Sequence, residues 1–259
     1  MVEFNKLLEV ATLAGKILLE SGAETYRVED TICRICLSYG VKTADSFVTP
    51  TGIIVSISDG TKTLSLLKRI TYMNLNLDKI HKINALSRQI QKKTLDLDIL
   101  QEKLINIENE KSYNNKLVLI FAAIISGIFS YILGGDIYDL FCAAFIGFII
   151  KCINNYFTKI NINNFFINYT CAAVASIIAI LFYIIHIPLH IDKTIIGAIM
   201  LLVPGLAITN AIRDTIAGDY LSGLTRGSEA ILIALSIAAG TGTVIGFYVN
   251  TLGGSILWQ

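Results

Sequence analysis

The chain has 259 residues, 54% of them apolar, and its 21 Lys and Arg nearly balance its 20 Asp and Glu, giving a formal net charge of +1. Residues 1–116 hold 16 of the basic and 14 of the acidic side chains. This division predicts a water-exposed first part and a lipid-exposed second part. The balanced charge, without a basic patch, excludes nucleic acid as a partner.

Residues 1–112 predict a folded α+β domain in the order helix, helix, three strands, helix, helix. Strands are expected at 46–49, 52–57 and 63–66, with Asp59-Gly60 as the hairpin signal between the last two. Gly22 and Gly40 mark the ends of the first two helices. The apolar stripes at helical spacing are Leu7, Ala11, Ala14 and Leu18; Val28, Ile32, Ile35 and Tyr39; Ile80, Ile83, Leu86 and Ile90; and Leu97, Leu100, Leu104 and Ile107.

Residues 113–259 predict a membrane domain of five helices. Each apolar stretch is close to the ~20 residues that cross ~30 Å of hydrocarbon. The fold class expected is therefore an α-helical polytopic membrane protein with an N-terminal α+β cytoplasmic domain. The expected spans are roughly 117–134, 138–157, 165–187, 194–212 and 228–250.

The connections between the spans predict the orientation. Basic residues gather on one side and acidic ones on the other, so the positive-inside rule places the N-terminus in the cytoplasm and the C-terminus outside. The basic side holds Lys103, Lys111, Lys116, Lys151, Lys159, Arg213 and Arg226, and the opposite side holds Asp136, Asp139, Asp192 and Lys193.

No cofactor or metal site is predicted. The five cysteines are scattered, and Cys33 and Cys36 have Cys-x-x-Cys spacing without a second pair or a nearby histidine, so helix cysteines are the preferred interpretation. His186 and His190 flank Pro188 at the end of a span and are expected to be interfacial residues.

Several motifs resemble those of a known family. They are Glu-Ser-Gly-Ala-Glu-Thr-Tyr-Arg-Val-Glu at 20–29, Thr-Pro-Thr-Gly-Ile at 49–53, Arg69-Ile70 with Asn76-Leu77, Asn84 with Leu-Ser-Arg at 86–88, and the stretch 201–230. Together they resemble the N-terminal half of the threonine/serine exporter family. The resemblance implies a transporter in the bacterial inner membrane that exports a small polar metabolite, such as threonine, serine or a short dicarboxylate like succinate.

The chain departs from the family in length. Full-length members are similar to two five-span units in one polypeptide, whereas this chain stops after five. It resembles the split form that works with a second five-span membrane subunit, and a homo-oligomer is the alternative. The other expected partners are membrane lipid and the transported small molecule.

The predicted substrate pathway begins at a break in the fourth span. Pro204 lacks an N–H and frees backbone acceptors near mid-depth, and Gly205 leaves them sterically open. Thr209 and Asn210 extend the polar stripe. In the fifth span four residues are expected at a similar depth, where they either contact substrate or permit close helix packing: Gly240, Thr241, Gly242 and Thr243.

Charged residues follow the fourth span: Arg213, Asp214, Asp219, Arg226 and Glu229. They are either a solvated cytoplasmic loop or a gate with proton coupling, in which Asp214 or Asp219 takes the proton and Arg213 or Arg226 attracts a substrate carboxylate. Gly218-Asp219 and Ser222-Gly223 punctuate a loop between the spans that is otherwise apolar enough to dip into the membrane, which favours the gate.

Two functional hypotheses follow from the sequence. The first is a proton-coupled exporter subunit without enzymatic activity, whose soluble domain is a gate or assembly platform. The alternative is a membrane-anchored cytoplasmic enzyme or regulator with the spans as scaffold. The charged residues Glu24, Arg27 and Glu29 are expected to form local ion pairs or to dock the domain onto loops of the membrane part.

Overall fold

The computed structural model describes residues 3–110, 113–187 and 190–252. The chain divides into two compact units. One is formed by Met1–Ser112 with Leu206–Gly227, and the other by Tyr113–Gly205 with Ser228–Gln259.

The first unit has the order of elements that the sequence predicts. In it, helices α1 (Phe4–Glu20) and α2 (Thr25–Ser38) precede strands β1 (Thr43–Thr49), β2 (Gly52–Ser58) and β3 (Thr63–Arg69), which are followed by helices α3 (Leu77–Lys92) and α4 (Leu97–Glu108). The strands are longer than predicted because their terminal residues, although polar, still pair in register.

Glycine ends α1 as expected. Gly22 has a φ of +88°, and its N–H donates to Leu19 O while the Ala23 N–H donates to Leu18 O. These two bonds are those of a Schellman motif, in which a left-handed residue satisfies the last carbonyls of a helix. The chain therefore turns sharply at residues 21–25 and enters α2 directly.

The sheet is antiparallel, in the order β1-β2-β3. Asp59 Oδ1 accepts hydrogen bonds from the N–H groups of Thr61 and Lys62, which fixes the predicted Asp59-Gly60 hairpin. One face of β2 points into a core shared with the predicted helical stripes. The largest fully buried side chains of this core are Leu7, Leu18, Leu19, Ile32, Ile35, Ile53, Ile57, Ile83, Ile90, Leu100 and Leu104.

Six further helical segments follow. They are α5 (Asn115–Ile132), α6 (Ile137–Lys159), α7 (Asn164–Ile184), α8 (Ile191–Ile199) with a 3₁₀ turn at Met200–Leu202, α9 (Gly205–Ala217) and α10 (Tyr220–Leu252). In the described part of the chain, four helices are long and apolar enough to cross a membrane: α5, α6, α7 and α10. There are up to five spans if Ile191–Leu202 and Gly205–Ala217 form one interrupted span.

The prediction of a long loop between the fourth and fifth spans is wrong. Helix α9 continues to Ala217 and α10 begins at Tyr220, so only two residues separate them. Gly218, with a φ of +95°, donates to Thr215 O, and the Asp219 N–H donates to Asp214 O, which makes a second Schellman motif. We refer to residues 206–227, which belong to the first unit, as the charged hairpin.

Ser222 and Gly223 were misleading as loop signals because they serve close packing inside the charged hairpin. A Cβ atom on Gly223 would lie 2.2 Å from Thr215 Oγ1 and 2.9 Å from Ala211 O. Small residues let two helices approach this closely. The same principle operates in the second unit, where a Cβ on Gly147 of α6 would lie 2.1 Å from Ser126 Oγ of α5.

Candidate functional site

The turn at residues 21–25, which we call the signature turn, is buried although it is a polar connection. Ser21, Ala23 and Thr25 are each at most 3% exposed. Buried backbone groups in a turn need partners, and the charged hairpin provides several of them. Both segments belong to the first unit.

Asp214 binds the N-terminus of α2. Its Oδ1 accepts a hydrogen bond of 3.0 Å from the Thr25 N–H, and its Oδ2 accepts one of 3.1 Å from the Thr25 hydroxyl. The Asp214 side chain is fully buried. A carboxylate is favoured at a helix N-terminus because the first N–H groups have no partner within the helix and the helix dipole is positive there. Asp214 therefore acts as a cap supplied from elsewhere in the chain.

Arg226 neutralises this buried carboxylate. Its Nε lies 3.1 Å from Asp214 Oδ2, and its side chain is 5% exposed. The Nε–H does not point along a hydrogen-bond direction to that oxygen, so the contact is an ion pair. The Arg226 Nη2 donates to the carbonyl oxygen of Ala23 at 2.8 Å. The guanidinium thus binds the carboxylate and the signature turn together.

Two more side chains of α9 bind the same turn. Asn210 Nδ2 donates to Gly22 O at 3.0 Å, and Arg213 Nη1 donates to Glu24 Oε1 at 2.6 Å. Glu24 also pairs with Arg27, whose Nε lies 3.2 Å from Oε2. We define Glu24, Asn210, Arg213, Asp214 and Arg226 as the polar cluster. Glu24 makes the local ion pair expected for it, with Arg27, and in addition an ion pair with Arg213 of the charged hairpin.

Helix α9 is amphipathic in a way that suits this position. Asn210 and Asp214 are one turn apart and buried, whereas Ile208, Ile212 and Ile216 are 43%, 55% and 81% exposed. Residues four apart lie on the same helix face. One face of α9 therefore presents polar groups to the signature turn, and another is as apolar as a lipid-facing surface.

The acidic groups around the cluster differ in proton affinity. Burial acts to raise the pKa of Glu24, but hydrogen bonds from its own backbone N–H and from Arg213, with the charges of Arg27 and Arg213, lower it below the ordinary value. Burial and the negative charge of Asp214 raise the pKa of Asp219. Asp219 is therefore the acid in the charged hairpin that takes up a proton more readily than usual.

The pKa of Glu29 also depends on the charges of Asp214 and Asp219. Glu29 Oε1 accepts a 2.8 Å hydrogen bond from the Val48 N–H. Burial raises the pKa of Glu29, and the charges of Asp219 and Asp214 raise it further, against the effect of that hydrogen bond. Glu29, Asp214 and Asp219 thus form one interacting acidic group around the signature turn. Sequence reasoning predicted a local ion pair or a docking contact for Glu29, but not its interaction with Asp214 and Asp219.

The predicted break in the fourth apolar stretch is present. Val203 and Pro204 are outside any helix, between the 3₁₀ turn and α9. A Cβ on Gly205 would meet nothing within 4 Å, so that backbone is sterically open. Thr209, one turn further along α9, is exposed.

In α10, the four residues predicted to line the pathway differ in their surroundings. A Cβ on Gly240 would lie 2.3 Å from Tyr169 O of α7, whereas one on Gly242 would meet nothing within 4 Å. The Thr243 hydroxyl lies 3.2 Å from the Tyr169 hydroxyl, and Thr241 Oγ1 is buried without a hydrogen-bond partner among the described residues. Gly240 therefore permits close helix packing.

Glu229 is exposed, and its side chain makes no hydrogen bond or ion pair within the described residues. It is separate from the polar cluster.

Sequence reasoning missed one buried acidic group in the second unit. Asp139 is fully buried; its Oδ1 accepts from the His190 N–H at 3.0 Å, and its Oδ2 lies 2.9 Å from His190 Nδ1. Asp136 and Asp139 also form a capping box at the start of α6. The Asp-x-x-Asp spacing was the available signal for the cap, but no local signal pointed to His190.

Across the described residues, no group of three or more His, Cys, Asp or Glu side chains is placed to hold a metal ion. The contacts within the polar cluster and with the signature turn are ion pairs and hydrogen bonds.

Comparisons with known proteins agree on one family. The sequence model described as "Putative threonine/serine exporter" matches residues 9–248. The "Threonine/serine exporter" of Corynebacterium glutamicum is 22% identical over 244 residues, which cover 91% of this chain and 50% of that protein. The "Probable threonine/serine exporter" of Mycobacterium tuberculosis is 22% identical over 240 residues, 91% of this chain and 45% of that protein. The chain thus spans about half the length of these relatives. No solved structure matches it significantly.

Proposed function

The chain belongs to the threonine/serine exporter family, and from this premise we propose that it is one subunit of an inner-membrane secondary transporter that exports a small polar metabolite. The proposed substrates are a threonine-like or serine-like amino acid or a short dicarboxylate such as succinate. Family membership favours this function over an anchored enzyme, because the family is one of membrane exporters.

The proposed topology has five spans, with α8 and α9 as one interrupted span. Residues 1–112 are cytoplasmic in this proposal and the C-terminus is outside, as the distribution of basic residues favours. Interrupted helices are a recurrent feature of transporter sites, since the break exposes backbone groups to a solute. Pro204 and Gly205 supply that break here.

We propose that a second membrane subunit of the same family completes the transporter, with a second copy of this chain as the alternative. The support is that the matched relatives are about twice as long as the part they share with this chain. Transporters built from two repeats commonly bind their substrate at the interface of the repeats.

The observation that carries the proposal of a gate is the buried ion pair of Asp214 and Arg226 at the signature turn. A scaffold does not need a buried ion pair, because desolvation of two charges often costs more than their attraction returns. Such a pair suits an element with two alternative arrangements. In our proposal the charged hairpin releases the signature turn during each transport cycle.

Within this gate we assign roles to separate residues. Asp219, whose pKa is raised, is the proposed coupling acid, and Arg213 is the proposed attractor of a substrate carboxylate because its side chain is 55% exposed. The proposed substrate pathway comprises Pro204, Gly205, Thr209, Asn210, Thr241, Gly242 and Thr243. Gly240 lies beside it as a packing residue.

The test is excretion by cells that express this chain with a candidate second subunit. We expect higher external threonine, serine or succinate than in cells with either subunit alone. Asn210→Ala and Asp219→Asn should remove the increase, while Glu229→Gln should retain it. Excretion that is unchanged in both site variants would contradict the assigned residues, and unchanged levels of all three metabolites in wild-type cells would contradict the proposed substrate class.

A further inference from the structure

Lys151 is a cation inside an apolar helix of the second unit. It lies eight residues before the end of α6, whose 23 residues make it a candidate span. At 1.5 Å per residue it is ~12 Å from that end. Gly147 of α6 closely approaches Ser126 of α5, so these two residues lie at the same height along the two helices. Lys151, one turn beyond Gly147, therefore lies beside the first half of α5.

A cavity of about 530 Å³ opens beside this lysine. Its walls are apolar apart from Tyr113, which carries a hydroxyl, and Lys151 is the one charged residue that lines it among the described residues. The other side chains of the wall include Leu117, Val118, Phe121 and Ile125 of α5 and Leu201 of the 3₁₀ turn. The volume falls within the range of ligand sites, which are usually apolar with a few placed polar groups.

The ammonium group of Lys151 has no hydrogen bond or ion pair within the described residues. An ionisable residue in a membrane span is costly and usually pairs with another group. The polar side chains of Asn115 and Asn155 at this end of α5 and α6 bond to each other and not to Lys151: Asn155 Nδ2 donates to Asn115 Oδ1 at 2.9 Å. The positive charge at Lys151 is thus left for a ligand.

We propose that this cavity binds an acidic lipid, with the acid group on Lys151 and the acyl chain along the apolar wall of α5. A lysine can extend its aliphatic stem along apolar surface while its ammonium group reaches toward the membrane interface. Basic pockets between membrane helices are suited to acidic headgroups for this reason. Threonine, serine and succinate match the walls less well than an acyl chain does, because each has polar groups at both ends and the lining offers only Lys151 and the Tyr113 hydroxyl as polar side-chain partners.

The test is thermal unfolding of the purified full chain in a neutral detergent, with and without phosphatidylglycerol or oleate. Both ligands carry one acid group and long acyl chains, and comparing them distinguishes a phosphodiester from a carboxylate. We expect at least one of them to raise the melting temperature by about 5 °C near saturation. Lys151→Met should lose this shift, Lys151→Arg should retain it, and Lys159→Met, at the end of the same helix, should behave as the wild type.

Two further compounds serve as controls. Phosphatidylcholine of matched chains has no net charge, and we expect it not to reproduce the shift. Succinate has no acyl chain, and because it is also a proposed substrate, any shift that it causes should persist in Lys151→Met. An equal shift with phosphatidylcholine, a succinate shift that is lost in Lys151→Met, or a phosphatidylglycerol or oleate shift that persists in Lys151→Met would each overturn the proposal.

Discussion

Asp214 and Thr25, 189 residues apart in the sequence, are joined by two hydrogen bonds through which the carboxylate caps helix α2. The carboxylate is buried together with the guanidinium of Arg226. This relationship attaches the charged hairpin to the signature turn, and it makes the stability of the first unit depend on residues that are far apart in the sequence.

Removal of one charge from the buried pair should destabilise the first unit strongly. Asp214→Ala leaves the Arg226 guanidinium buried without its counter-ion, which costs about 3–5 kcal/mol. Arg226→Ala should cost a similar amount. The double variant should cost less than the sum, because neither charge is then left alone. Thermal unfolding in detergent measures these differences. The control is Glu229→Ala, which changes an exposed side chain. Losses of stability that are strictly additive in the double variant would contradict the pairing of Asp214 with Arg226.

Glu24 should make the protein sensitive to acid. Its folded pKa is lowered, so it contributes stability above the ordinary value of 4.5, and this contribution is lost as the pH falls through the lowered folded value. Glu24→Gln should therefore melt at a lower temperature than the wild type at neutral pH, with a difference that narrows below pH 4.5. A constant difference across this range would be the contrary result.

Glu29 should show the opposite dependence. Its folded pKa is raised, so its contribution is fully present below the ordinary value of 4.5 and is lost as the pH rises through the raised folded value. The melting temperature of Glu29→Gln should rise relative to that of the wild type as the pH increases from 4.5 through the raised folded pKa of Glu29. Asp219→Asn should lower the folded pKa of Glu29, and so move this change to lower pH, because it removes one of the neighbouring negative charges. A Glu29→Gln melting curve parallel to the wild type at all pH values would contradict this assignment.

Two glycines of α10 provide a matched pair for the second unit. Gly240→Ala should destabilise by about 1–3 kcal/mol because its Cβ collides with the Tyr169 carbonyl oxygen. Gly242→Ala meets open space and should be neutral or stabilising by up to about 1 kcal/mol, since alanine is the better helix former. Melting temperatures of the two variants compare them directly. Equal losses would show that Gly240 is not a packing residue.

The Asp139–His190 contact gives another stability prediction. Asp139→Ala leaves the part-buried N–H groups of His190 and Asp136 without their acceptor; the cost for each is below the figure of about 1–3 kcal/mol for a fully buried unsatisfied group, because water can reach them. Asp139→Asn keeps one oxygen acceptor and should cost less. The order of the two melting temperatures is the measurement, and a reversed order would exclude these hydrogen bonds as the cause.

The sequence predicted the elements well and their contacts poorly. The order of helices and strands in residues 1–112 followed from apolar periodicity, Gly22 and Asp59-Gly60, because these signals are local. The break at Pro204 was likewise predictable from the missing N–H. The contact of Asp214 with Thr25 was not, because it depends on how distant segments fold together.

Ser222-Gly223, next to the corner at Gly218-Asp219, shows how a local signal can mislead. Glycine and serine favour loops in isolation, and Ser222-Gly223 was therefore assigned to one. In the folded chain, the absence of a side chain at Gly223 allows α10 to pack against Thr215 and Ala211. Tertiary packing outweighed local propensity at this position.

The most direct test of the gate is to prevent it from opening. Glu24→Cys and Arg213→Cys, introduced together after replacement of the five native cysteines, can be joined by a short bis-maleimide, and efflux of radiolabelled threonine, serine and succinate from proteoliposomes with the second subunit is then measured. We predict efflux of at least one solute from the wild-type protein. Because Arg213 is also the proposed attractor of the substrate, we predict reduced but measurable efflux from the unlinked double variant and from Arg213→Cys treated with the reagent, and no efflux after cross-linking. Efflux from the cross-linked protein equal to that of the unlinked double variant would contradict the proposed gate, and no efflux from the wild-type protein would contradict the proposed export.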